Sequence, residues 1–209
     1  MTTGVRMVDV SIPVSVLYGT SDCEEIHDSL LSQPVLALSS LGFVAAGGWL
    51  LWAWRDLPTP QRWSAGAYAG LLVLVGAGSV DFHGPQSPAA QVLHDLPIAL
   101  VAGQAVAVPL SRALRKRPAL RRGSRSRVVS AAGLAVLAAA AYAAGRTNAP
   151  WCDPESLAQP HAAWHALSAA ALGLWGTVLW PIDPAGSRGG DSWRWSARWS
   201  VAPPSRPLD

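Results

Sequence analysis

Five long apolar runs, separated by short polar stretches, set the pattern of this chain. Residues 34–54 run for 21 positions without a charge. As a helix rising 1.5 Å per residue, that is long enough to cross a hydrocarbon core of about 30 Å. Runs at 63–80, 89–111, 128–145 and 157–181 follow. The second is rich in glycine and alanine, as expected where helices approach closely in lipid. His94 and Asp95 interrupt the third near its start, and the fourth is almost all alanine, leucine and valine. Trp49, Trp52 and Trp54 close the first run, where an aromatic belt belongs. The pattern predicts an all-α fold, a polytopic transmembrane bundle of about five spanning helices over residues 33–182. Residues 1–32 read as an extracytoplasmic N-terminal segment. Residues 183–209, rich in Pro, Gly, Ser and Arg, read as a disordered cytoplasmic tail despite Trp193, Trp195 and Trp199. The sequence shows no internal repeat.

Composition agrees with the pattern. Half of the residues are hydrophobic and 14% are charged, against roughly 25% charged in soluble domains. Residues 1–28 have no apolar core and carry Asp9, Asp22, Glu24, Glu25 and Asp28, so the first span is expected to do the targeting. The placement of the basic residues orients the bundle. Residues 55–62, 112–127 and the tail hold two, eight and four of the 16 Lys and Arg. With the N-terminus outside, all three stretches are cytoplasmic, which is a strong positive-inside bias. The pI near 9.3 therefore points to orientation and anionic headgroups, with no nucleic acid called for. The expected setting is a multi-pass protein of a bacterial-type plasma membrane, and the sequence is silent on oligomeric state.

The same topology puts the only two cysteines, Cys23 and Cys152, on the outer side. An oxidising compartment permits a disulfide there, and the bridge is favoured over two free thiols.

The chemistry gathers at the same end. His161 and His165 lie four apart at the start of the last run. On a helix they share a face, one turn apart, and can hold one metal ion. From that pair alone, interfacial histidines reaching toward water are an equally good reading. Ser79 and His83 are also four apart, at the outer end of the second run, and His94 and Asp95 lie near the outer end of the third. Ionisable residues in spans are costly, so a set sharing one depth is a functional candidate. His83, His161 and His165 form a neutral three-ligand set, the catalytic rather than the structural zinc pattern. Asp95 is the candidate proton carrier and Ser79 a donor to a developing oxyanion. A Ser79 triad is disfavoured, because Gly-x-Ser-x-Gly is missing around it. A chain without metal, its histidines serving packing or proton transfer, is the bland alternative.

Ser79-x-x-Phe82-His83, His94-Asp95-Leu96-Pro97, His161-x-x-Trp164-His165 and Cys23-Glu24-Glu25 together resemble the alkaline ceramidase family of the CREST superfamily. The resemblance runs from about Cys23 to Trp180. It implies zinc on His83, His161 and His165, a transition-state role for Ser79, and a Cys23–Cys152 disulfide. It also implies an aspartate at the start of the next helix, a role for which Asp95 is the candidate. Counted strictly from Leu96-Pro97, that place falls on His94. The family binds calcium through an acidic N-terminal cluster, of which this chain keeps Glu24. Gln33 and Ile26 stand where a glutamate and an asparagine belong, which counts against calcium. The family has seven spans and this chain reads as five, a shortened member. The implied function is zinc-dependent cleavage of the amide bond of ceramide, or a related N-acyl membrane lipid, to a fatty acid and an amine. The alternative is a non-catalytic or receptor-like member of the superfamily with structural zinc.

Overall fold

A computed structural model describes residues 18–115 and 124–182 of the chain. The stretch before residue 18, the middle of the basic block and the tail expected to be disordered lie outside the described residues. The described elements are α1 (Pro34–Ser39), α2 (Leu41–Ala53), α3 (Thr59–His83), α4 (Ala90–Leu114), α5 (Arg125–Ala144) and α6 (Pro160–Leu179). With α1 and α2 counted as one span, five helical segments among the described residues are long and apolar enough to cross a membrane. In lipid only a helix satisfies its own backbone within one segment, so apolar runs of this length have little alternative.

The first span is broken at Ser40, which the run of apolar residues did not announce. The Ser40 and Ser39 hydroxyls both donate to the Leu36 carbonyl, at 2.8 and 2.9 Å. Back-bonding of this kind competes with the helical ladder and bends the helix. The second span starts earlier than its apolar run, because Pro60 falls in the first turn, where a missing N–H costs nothing.

α3 packs between α2 and α4, and α6 packs on α5 and α2. Among the described residues α4 and α5 do not touch each other. Their outer faces carry exposed Leu96, Leu100 and Val106, and Val129, Val136 and Leu137. The core is Phe43, Leu50, Trp54, Tyr68, Leu72, Val75 and Trp180. Two prolines inside α4 each free a carbonyl one turn back, and the fold uses both. Pro109 frees that of Ala105, which accepts from the Trp175 indole at 3.1 Å. Pro97 frees that of Leu93, which lies so close to Gly78 that a Cβ there would collide with it. Gly78→Ala should therefore push α4 off α3 and cost about 1–3 kcal/mol, as overpacking does. A thermal melt of the purified variant in detergent checks this; an unchanged midpoint would mean that the contact is soft.

The far ends of the bundle differ. The end of α3, the starts of α1, α4 and α6, and the end of α5 meet at one end, together with residues 18–33. Cys23 and Cys152 are bridged there, with their Cα atoms 5.4 Å apart. Asp22 and Arg146 form an antiparallel backbone bridge beside the disulfide. Arg55, Arg62, Arg112 and Arg125 belong to the opposite end, where Arg112 donates to the Leu179 carbonyl at 2.6 Å and closes α6.

Candidate metal centre

His83 ends α3, and His161 and His165 sit in the first two turns of α6. The close packing of these helices brings one ring nitrogen of each histidine within 4.8 Å of the others. All three are buried, at 1%, 4% and 0% exposure. It is the one group of three or more potential ligands among the described residues.

Outer contacts fix two of the rings. The Gln33 side-chain nitrogen donates to the carbonyls of Gly19, at 3.2 Å, and Glu24, at 2.9 Å. Its oxygen is thereby the acceptor for His83 Nδ1–H, at 2.8 Å. The Ser39 hydroxyl spends its proton on Leu36 and accepts from His165 Nδ1–H at 2.8 Å. This hydrogen-bond network assigns both tautomers. It leaves His83 Nε2 and His165 Nε2 bare, buried and without a partner. A buried imidazole lone pair with nothing to accept is costly, and a cation is the partner that suits two of them at once. His161 Nδ1 lies 3.1 Å from Asp22 Oδ1 but off the hydrogen-bond direction, so the contact is close without being a directed bond. The same carboxylate oxygen accepts from Arg146 at 2.7 Å. The chemistry of the donor set therefore fits a bound metal ion.

Two cavities border the cluster. A chamber of about 500 Å³ is walled by Asp22, His83, His94, Tyr142, Arg146 and Trp164, among others. A smaller, mostly apolar cavity of about 120 Å³ runs down between α2, α3, α4 and α6, past Phe43, Ile98 and Leu172. Ser79, His94 and His165 stand among its walls, and His94 and Trp164 border both spaces.

The residues singled out from sequence fall as follows. The three histidines come together. Ser79 is buried on the apolar cavity, with its hydroxyl 2.9 Å from Ser40 Oγ. Asp95 is different: its side chain is 61% exposed and borders neither cavity. It accepts from His94 Nδ1 at 2.7 Å, and His94 is the one that reaches the cavities. Asp81 is occupied by Ser87, through N–H and hydroxyl, in the turn after α3. Glu24 binds the Val35 and Leu36 N–H groups, both at 2.8 Å, and so caps α1 from outside the helix. Gln33 is neutral and its amide is already on the Gly19 and Glu24 carbonyls, so it brings no charge to a calcium site. Gln33, Ser39, Ser40, Asp22 and Arg146 carry contacts to the site that sequence reasoning did not assign. The one local signal was the pair of adjacent serines inside an apolar span.

Comparison with family models, with curated proteins and with solved structures returns no match.

Proposed function

We propose that this chain is a zinc-dependent intramembrane hydrolase that cleaves the amide of ceramide or a related N-acyl lipid. One observation carries the reading: three buried histidines, two of them with a bare Nε2 and an Nδ1 held by an outer partner, lie between a partly polar chamber and an apolar cavity. A structural site needs no cavities and no buried serine beside it. Zinc in an open three-histidine site acidifies water toward a pKa of about 7 and polarises a carbonyl oxygen.

The chain's own groups do the rest. The apolar cavity takes part of an acyl chain and the chamber takes the head, so the amide lies against the histidines. Ser79 is placed to donate to the oxygen on which charge develops. His94, on the wall of both spaces, takes up a proton from the attacking side and returns it to the departing amine. Asp95 holds the His94 ring from outside. The basic end of the bundle supports a cytoplasmic C-terminus and an outward-facing site.

Purified protein in lipid nanodiscs, supplied with a panel of N-acyl lipids, is expected to release fatty acid and amine. Chelation should stop the reaction and zinc should restore it. Mass spectrometry of the products checks this. An intact panel in the presence of fully zinc-loaded protein would defeat the hydrolase reading.

A further inference from the structure

Residues 18–33 form a strap across the outer end of the bundle. One end is tied by Gln86, whose side chain exchanges hydrogen bonds with the Tyr18 backbone at 3.1 and 3.3 Å. Its middle is tied by the Cys23–Cys152 bridge and by backbone bonds from Cys23 to Gly145 and from Thr147 to Ser21, both 2.9 Å. Its far end is Gln33, fully buried, whose own N–H donates to the His83 carbonyl at 2.7 Å. Every histidine of the cluster meets this strap, directly or through a partner. Gln33 orients His83. Asp22 faces His161. Glu24 caps the helix whose Ser39 orients His165.

We infer that the disulfide-locked strap is the positioning element of the metal centre, with Gln33 and Asp22 setting its affinity for metal by orienting His83 and His161. The inference rests on the metal reading of the histidine cluster but not on the substrate. Outer partners of metal-bound histidines fix ring orientation and raise ligand basicity, and their loss typically costs about 10–100-fold in affinity. The strap supplies such partners from outside the spans. A cut disulfide removes one of the ties on the stretch that carries Asp22 and Glu24, so bridge and metal site are energetically linked.

The test is a zinc competition titration against a chromogenic chelator, run on full-length protein in detergent with a thermal melt of every metal-free variant. Gln33→Leu keeps the volume and removes the acceptor, and should bind zinc about 10–100-fold more weakly. Gln33→Glu keeps an acceptor for His83 Nδ1 while losing both donations to the strap. It should melt lower yet hold zinc better than Gln33→Leu. Asp22→Asn and the paired Cys23→Ser, Cys152→Ser variant should weaken zinc in the same direction. Tyr68→Phe, which loses a 2.9 Å bond to the Leu172 carbonyl and touches none of the three histidines or their partners, should melt lower with unchanged zinc affinity. Wild-type affinity in Gln33→Leu and Asp22→Asn would overturn the inference. So would affinities that merely follow the melting points, Tyr68→Phe included. If His161→Ala also binds zinc as the wild type does, the metal centre itself is misassigned, which is a separate failure.

Discussion

Purified protein is expected to carry close to one zinc per chain, and His161→Ala or His83→Ala to lose most of it. The size of the effect follows from where the nitrogens are. Each histidine is buried, and the three have no fourth potential ligand of the same kind grouped with them among the described residues. Removing one leaves two neutral ligands, fewer than the three of a catalytic zinc site. The loss should exceed the 10–100-fold that an outer partner typically commands. Stability offers an independent readout. A ligand that binds only the folded state stabilises by about 2.7 kcal/mol at a hundred times its dissociation constant. Zinc should therefore raise the melting point of the wild type and leave that of His83→Ala unmoved. Without metal the gap between the two should narrow. His83 Nε2 is a buried acceptor without a partner, a group that costs about 1–3 kcal/mol. Its removal offsets part of the lost packing. Full zinc content in His161→Ala, with an undiminished thermal shift, would exclude His161 as a ligand.

The parts of this molecule that were legible in the sequence are those that local spacing decides. Residues 34–54 could only span or aggregate, and a span must be helical because lipid offers the backbone no partners. His161 and His165 had to share a face once that segment was a helix, and Ser79 and His83 likewise. The partners that hold these rings were not legible, because nothing local selects them. Gln33 lies 50 residues from His83, and Ser39 lies 126 from His165. Asp22 meets Arg146 across 124 residues. In sequence Gln33 registered only as a missing acid, yet its amide does what a carboxylate cannot: it accepts from His83 while donating to two carbonyls. The break at Ser40 was hidden for a similar reason. A hydroxyl inside an apolar run is neutral until its acceptor is known, and in this span the acceptor is the helix itself. Asp95 shows the limit of choosing a residue by its type: the motif counted from Leu96-Pro97 points to position 94, and residue type prefers the carboxylate next to it. One residue is about 100° of helix, enough to put His94 on the cavity wall and Asp95 outside it.

Variants of Ser79, His94 and Asp95 are expected to separate chemistry from metal binding: all three should keep zinc and differ in turnover. Ser79→Ala removes a hydroxyl that touches Ser40 but no ligand histidine by hydrogen bond, so the cluster stays assembled. Losing one donor to a developing oxyanion typically costs about 100- to 1000-fold. For the proton carrier, sequence and geometry give different orders. Residue type favours the Asp95 carboxylate, although the motif counted from Leu96-Pro97 points to position 94, so on that reading Asp95→Asn should be the severe change and His94→Ala the mild one. The geometry favours the reverse. His94 borders both cavities and its ring stacks on Phe82, with centroids 4.4 Å apart. Asp95 is 61% exposed and reaches the site only through His94 Nδ1. His94→Ala should then remove proton transfer, a contribution of about 10²–10⁴-fold. Asp95→Asn should cost less, because the amide oxygen can still accept from Nδ1 and hold the ring. Turnover of one lipid substrate, with zinc measured in every variant, decides between them. Collapse in Asp95→Asn with near-normal His94→Ala would return the role to the carboxylate. Near-normal turnover in both would move the proton acceptor elsewhere; Asp81 is the next residue to test, once freed from Ser87 by Ser87→Ala.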